Sequence, residues 1–288
     1  MKPEIIDRKI IELNEQQTKM VVSGWGKDAY QNSAVDKITY LSDGLKVKGY
    51  IAYPADTNPQ KSGGLKKYPC IIWNRGGSKD SGAIDTFTAR GIFGQLASWG
   101  YAVFASQYRG NAGGEGNEQL GGADVNDILN LIPLADELPF TDKNKWGIEG
   151  WSRGGMMTYL TLIRNNNFNC AVLSGAIASL EQYILSLPGK EKSFKKLIGE
   201  NDFENQIKKR TILYQVESLP KIPYLLLHGA EDNTVSPMQT IEMARKMVGL
   251  KIPYRLVIFE GGDHFLKSHR EEVDRLRKFW FDKYLKSG

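Results

Sequence analysis

The run Gly150-Trp151-Ser152-Arg153-Gly154 sets a serine between glycines at the G-x-S-x-G spacing, which presents a hydroxyl on a strained strand-to-helix turn. A free serine hydroxyl barely ionises at neutral pH. Ser152 can therefore act as a nucleophile only with a base in hydrogen-bond reach and a third group to orient that base. Glycine makes up 30 of the 288 residues, so the pentapeptide alone is only moderately specific and its flanks must decide. Lys145-Trp146-Gly147-Ile148-Glu149 reads as a strand before it, and Arg153 to Arg164 reads as a helix after it. Gly150 and Gly154 are the elbow glycines: they let helix and strands approach a nucleophile held at an unfavourable backbone angle. The new helix start offers free N–H groups to developing negative charge.

Three histidines compete for the role of base. His228 closes the apolar run Pro223-Tyr224-Leu225-Leu226-Leu227 and reads as a structural residue at a strand end. His269 falls among charged neighbours on a helix and reads as solvated. His264 sits in Glu260-Gly261-Gly262-Asp263-His264-Phe265, a glycine-bearing loop after the last expected strand, where an open parallel sheet carries its working residues. It is the expected general base. If the order is Ser, Asp, His, the orienting acid lies between, and Asp232 in His228-Gly229-Ala230-Glu231-Asp232-Asn233 leads, with Glu231 and Asp263 as competitors. Acyl transfer also needs donors aimed at an oxyanion. One is expected from the backbone N–H of Arg153. The other is expected from the loop Asn74-Arg75-Gly76-Gly77, with Gly77 first and Gly76 second, unless that loop is simply a tight turn.

Positioning these groups calls for a sheet. Ile38 to Leu41, the turn Ser42-Asp43-Gly44 and Leu45 to Tyr53 read as an antiparallel hairpin. After a Pro/Gly-rich loop, Pro54 to Lys67, short apolar runs alternate with helical patterns. The runs are Tyr68 to Trp73, Tyr101 to Ser106, Lys145 to Glu149, Cys170 to Ser174, Pro223 to Leu227 and Pro253 to Phe259. The helices fall near Ala89 to Trp99, Ala123 to Leu134, Arg153 to Arg164, Pro237 to Val248 and Leu266 to Leu285. Continuously apolar strands between helices predict an α/β fold with a mostly parallel, doubly wound sheet flanked by helices and the hairpin at its edge. Residues 1–34 read as an N-terminal extension with an amphipathic segment at Ile5 to Leu13, and residues 35–288 as the catalytic domain. Residues 178–220 carry no strand pattern and read as a helical lid or a surface excursion.

Composition narrows the partners. The net charge of +5 is spread among acids, with no basic stripe interleaved with aromatics, which argues against nucleic acid. No secretory signal is visible, and no apolar run approaches the roughly 18 residues needed to span a bilayer, which argues against a membrane. Cys70 and Cys170 lie in apolar runs and read as core residues of a cytoplasmic protein. No metal-ligand spacing such as H-E-x-x-H occurs, so neither a metal nor another cofactor is expected.

Taken in order, these motifs resemble the catalytic domain of the prolyl oligopeptidase family of serine peptidases, within the α/β-hydrolase fold. The similarity runs from about Ile38 to the C-terminus. It rests on Ser42-Asp43-Gly44, Tyr108-Arg109-Gly110, Gly150-Trp151-Ser152-Arg153-Gly154-Gly155, His228-Gly229-Ala230-Glu231-Asp232 with Val235, and Gly262-Asp263-His264. By matching positions the resemblance puts the family's triad on Ser152, Asp232 and His264. The family's β-propeller is not expected in the residues that precede this region. Asn74-Arg75-Gly76-Gly77 stands where the family has His-Gly-Gly or Tyr-Gly-Gly loops. The expected function is a serine hydrolase that cleaves short-peptide amides or small carboxylic esters through an acyl-enzyme. A carboxylesterase without peptidase activity is the alternative within that class, and a catalytically idle hydrolase-fold binding protein is the alternative outside it.

Overall fold

A computed structural model describes residues 2–57 and 66–286, so part of the loop expected between Pro54 and Lys67 lies outside the described residues. The chain divides into two compact units, one comprising 1–73, 79–117 and 126–146, the other 74–78, 118–125 and 147–288.

The first unit begins with strand β1 (Ile5–Ile10), helices α1 (Glu15–Trp25) and α2 (Lys27–Gln31), and strands β2 (Ser33–Ser42) and β3 (Leu45–Pro54). β2 and β3 pair antiparallel from Ser33↔Pro54 to Ser42↔Leu45. The two residues between them, Asp43 and Gly44, have φ of 51° and 83°, the backbone that a two-residue hairpin turn demands. β1 adds to the free side of β2 and takes the edge. The amphipathic pattern of Ile5 to Leu13 thus belongs to a strand. Five of its six residues are exposed, and backbone pairing holds it instead of burial. Asn14 then starts α1 with a reciprocal capping box to Gln17.

The chain continues through β4 (Tyr68–Asn74), a helical passage made of Thr86–Thr88, the π-helical Ala89–Phe93 and α3 (Gly94–Ser98), then β5 (Ala102–Ser106), which pairs antiparallel with β3. Helix α4 (Asp124–Leu129) and a 3₁₀ turn at Pro133–Glu137 lead into β6 (Thr141–Trp151). Arg109, from the Tyr108-Arg109-Gly110 motif, is anchored in this unit. Its guanidinium donates to Asp127 Oδ1 at 2.8 Å and to Asp43 Oδ2 at 2.8 Å. Burial acts to raise the Asp43 carboxyl pKa, but hydrogen bonds from Arg109, Asn126 and Asn130 outweigh it and hold that carboxyl below the usual range.

The second unit takes the end of β6 and adds α5 (Arg153–Arg164), β7 (Cys170–Ser174), α6 (Leu180–Leu185), α7 (Glu191–Ile198), α8 (Phe203–Arg210), β8 (Tyr224–Gly229), α9 (Met238–Leu250), β9 (Tyr254–Phe259) and α10 (Arg270–Phe281). β6, β7, β8 and β9 pair in parallel, in sequence order. Every residue of β7 and β8 is buried, as continuous apolar runs require. Arg277 of α10 is buried and grips Glu149 of β6 with two bonds, Nε to Oε1 at 2.6 Å and Nη2 to Oε2 at 2.9 Å. The full hydrogen-bonded strand order is β1-β2-β3-β5-β4-β6-β7-β8-β9: helix-flanked, mostly parallel, antiparallel at the N-terminal edge. Among the described residues no helix is long and apolar enough to cross a membrane.

Candidate active site

Because β6, β8 and β9 run in parallel, the loops that follow them leave the same edge of the sheet. Those loops carry Ser152, Asp232 and His264, all within the second unit. Ser152 joins β6 to α5 at φ 57° and ψ −124°, a left-handed conformation that costs a serine about 1–3 kcal/mol and needs outside support. That support is local. The Ser152 amide donates to Ser174 O at 2.9 Å, and its carbonyl accepts from Gly155 N at 2.9 Å and Ile177 N at 3.2 Å. A Cβ on Gly150 would stand 2.1 Å from Gly154 O, and one on Gly154 would stand 2.0 Å from Asn74 O. Ser152 occupies the N-cap position of α5, yet its side chain makes no capping hydrogen bond, so the hydroxyl is not consumed in holding the helix end.

Asp232 is 6% exposed, accepts three hydrogen bonds and faces a fourth donor, His228 Nε2. Oδ1 takes the amides of Thr234 at 2.8 Å and Val235 at 2.9 Å. Oδ2 lies 2.7 Å from His264 Nδ1 and 3.1 Å from His228 Nε2. Burial would raise this carboxyl's pKa. The bonds from His228, His264 and the Val235 amide overcome that and hold it well below the usual carboxylate range.

His264 is 8% exposed. With an ionised carboxylate at Nδ1, that nitrogen carries the proton and Nε2 is left with a lone pair. Its main chain is held from the elbow, since Trp151 Nε1 donates to His264 O at 3.0 Å. The loops after β8 and β9 are also laced together: Ala230 N donates to Phe259 O at 2.8 Å and Glu231 N to Gly262 O at 2.9 Å. Gly175, at φ 52°, backs the pair so closely that a Cβ there would lie 3.2 Å from His264 Nδ1 and 3.4 Å from Asp232 Oδ2. Among the described hydrogen bonds, Asp232 and His264 are joined, while Ser152 Oγ carries none to the imidazole. Unliganded hydrolase sites often leave that bond to form with substrate.

The competing residues make other contacts. Glu231 is exposed. Asp263 is exposed and accepts from the amides of Phe265 and Lys267 at 3.1 and 3.2 Å. His269 faces Glu260 O at 2.9 Å. His228 is fully buried at the end of β8.

The loop after β4 runs directly against the nucleophile: a Cβ on Gly76 would stand 3.3 Å from Ser152 Cβ and 3.9 Å from its Oγ. Gly77, at φ 63°, turns its carbonyl to Arg153, whose Nη1 donates to it at 2.8 Å. The same buried guanidinium meets Glu118 through Nη1 and Asp124 Oδ2 through Nη2 at 2.9 Å. These two acids, and the approach of His228 to Asp232, are contacts that reading the sequence does not reach. Among the described residues no group of three or more His, Cys, Asp or Glu side chains is arranged to hold a metal ion.

Comparison with known proteins agrees with this architecture. Residues 89–288 match the family model described as the prolyl oligopeptidase family, Peptidase_S9. The chain is 31% identical over 247 residues to a Bacillus subtilis (strain 168) protein described as the uncharacterized peptidase YtmA, covering 84% of this chain and 91% of that one. It is 25% identical over 215 residues to prolyl endopeptidase FAP of Mus musculus, covering 72% of this chain but 28% of that protein. Among solved structures, an acylaminoacyl peptidase in complex with Z-Gly-Gly-Phe-chloromethyl ketone superposes with a TM-score of 0.76 at 25% identity, over 90% of this chain and 43% of that one. The chain thus spans less than half of these two larger proteins. The fold is that of the α/β hydrolases, and the chain belongs to the prolyl oligopeptidase family of serine peptidases.

Proposed function

We propose that this hydrolase cleaves short peptides by acyl transfer, with Ser152 as nucleophile, His264 as general base and acid, and Asp232 as the group that orients the imidazole. One observation carries the reading: a buried, ionised Asp232 holds His264 Nδ1 at 2.7 Å, on loops that leave the same sheet edge as a strained serine whose hydroxyl is not used as a cap. In this mechanism His264 Nε2 takes the hydroxyl proton as Ser152 Oγ adds to the carbonyl carbon, and the tetrahedral oxyanion forms. His264 then returns the proton to the leaving nitrogen. Water repeats the sequence on the acyl-enzyme, releases the carboxylate and restores Ser152. The oxyanion donors are the Arg153 backbone N–H and one from the Gly76-Gly77 loop, each worth about 3–4 kcal/mol to the transition state. Gly76 is favoured by its approach to Ser152.

Residues 178–220 are proposed as a helical lid on the 35–288 catalytic domain. Tyr183 of α6 supports this: burial, and then the charge of Asp232, push its phenol pKa up, so this helix feels the charge of the proposed orienting acid. Residues 1–34 are proposed as an extension of that domain. Two buried free thiols, Cys70 and Cys170, suit a cytoplasmic location.

The peptide preference rests on the family and on the peptidyl chloromethyl ketone bound by the related acylaminoacyl peptidase. Parallel kinetics on aminoacyl and prolyl p-nitroanilides and on p-nitrophenyl esters test it. Anilide turnover that Ser152→Ala abolishes is the expected result. Ester turnover alone would make the protein a carboxylesterase, and full activity in Ser152→Ala would sink the mechanism.

A further inference from the structure

Two imidazoles approach Asp232 Oδ2, and the mechanism above uses only one. The second, His228, is fully buried at the C-terminal end of β8. Its Nε2 lies 3.1 Å from Asp232 Oδ2 and 2.9 Å from Val235 O, and its Nδ1 lies 2.6 Å from Thr240 Oγ1 on α9. The partners decide its tautomer. A carboxylate and a carbonyl can only accept, so Nε2 must carry a hydrogen and donate. A threonine hydroxyl can donate, so a neutral ring is satisfied when Thr240 donates to Nδ1.

The consequence falls on Asp232. A carboxylate offers about four lone-pair sites: here three are filled, by the amides of Thr234 and Val235 and by His264 Nδ1, and the fourth faces His228 Nε2, whose one hydrogen is shared with Val235 O. The amides fix Oδ1. On Oδ2, His264 belongs to a loop, whereas His228 belongs to a buried strand and is itself held by α9. Rotating the carboxylate about its Cβ–Cγ bond would break these donors together.

We infer that His228 is a positioning residue: its Nε2–H locks the Asp232 carboxylate from the sheet side, so that Oδ2 presents its remaining lone pair to His264. The inference rests on the Ser152, His264 and Asp232 reading. Unlike the catalytic residues, His228 touches no reacting atom. Its loss should therefore weaken turnover without weakening substrate binding.

The full-length variants His228→Gln and His228→Asn separate this role from simple core filling. A glutamine amide nitrogen reaches about as far as Nε2, whereas an asparagine amide reaches only as far as Nδ1. Two readouts apply: the second-order rate at which a fluorophosphonate labels Ser152, and kcat and KM on whichever p-nitroanilide or p-nitrophenyl ester is turned over. His228→Asn is expected to lose roughly 10- to 100-fold in labelling rate and kcat, the size of a displaced catalytic group. KM should stay within about twofold, since no ground-state contact is lost. His228→Gln should keep most of the wild-type rate. Equal rates in the two variants, whether high or low, would overturn the role. If His228→Asn does not fold, Thr240→Val decides: kcat should fall severalfold at constant KM, and an unchanged kcat overturns the inference. The parent reading fails separately. Activity surviving in Ser152→Ala refutes the triad, whereas an inert Ser152→Ala beside indistinguishable His228 variants refutes only the lock.

Discussion

Asp232 accepts hydrogen bonds from His264 and two amides and faces His228 Nε2 at 6% exposure, so folding favours its charged form despite the burial. A carboxyl whose pKa is depressed in the folded state contributes stability that is fully present above its unfolded value of about 3.9. That stability is lost as pH falls through the folded value, so the window lies below about pH 4. Asp232→Asn removes the titration. Urea unfolding followed between pH 3 and pH 6 should show a flatter acid decline in the variant than in wild type, and parallel slopes would refute the linkage. On activity, the same substitution should lower kcat by about 10⁴, the size of a histidine left in the wrong tautomer. Ser152, Asp232 and His264 were legible as positions because each follows an apolar strand run in a glycine-marked loop. The guanidinium contacts of Arg153 with Glu118 and Asp124, across 35 and 29 positions, leave no trace in one sequence. The contact of His228 with Asp232 was equally hidden, since a pair that joins a strand end to the loop after it follows no helical or strand period.

At the scale of elements, legibility follows burial. Cys170–Ser174 and Arg153–Arg164 occupy the residues that their apolar runs predict, because both are buried almost throughout. The helix expected over Ala123 to Leu134 breaks into Asp124–Leu129 and a 3₁₀ turn at Pro133–Glu137, since a proline ring and its missing N–H oppose an uninterrupted helix. β1 was missed as a strand because an exposed edge needs no alternation. In the segment 178–220 the helices are held unequally. α7 buries no residue, whereas α8 buries Phe203, Ile207 and Arg210. Arg210 also donates to Leu120 O at 2.9 Å. The start of the segment is pinned as well: Gln239 Oε1 accepts the Ala178 and Ser179 amides, both at 2.9 Å. Local opening tracks missing buried contacts. Amide hydrogen exchange should therefore be fastest in Glu191–Ile198, slower in Phe203–Arg210 and slowest in Arg153–Arg164. Protection of α7 equal to that of α5 would contradict a lid hinged at its ends and loose in the middle.

For the whole molecule, each compact unit carries its own buried cation, Arg109 on Asp127 in one and Arg277 on Glu149 in the other. Losing one partner of such a pair costs about 3–5 kcal/mol, a large share of the roughly 5–15 kcal/mol that usually holds a fold. The strands do not respect the division. β4 reaches Asn74 and β6 runs from Thr141 to Trp151, so each passes from one unit into the other without a linker. The chain therefore crosses the division inside strands, not linkers, which argues for a single cooperative transition although the chain exceeds the usual two-state size. The cysteines report on this, because Cys70 lies in the first unit and Cys170 in the second. Both are 0% exposed, and burial pushes both thiols up, leaving them neutral and sheltered in the native state. In Cys70→Ala and Cys170→Ala, which leave one thiol each, reaction with a thiol reagent across a urea series should begin at the same midpoint once shifts from the substitutions themselves are corrected by circular dichroism. Separate midpoints would mean that the units unfold independently. The loops that carry Ser152, Asp232 and His264, all in the second unit, would then keep their geometry after the first had melted.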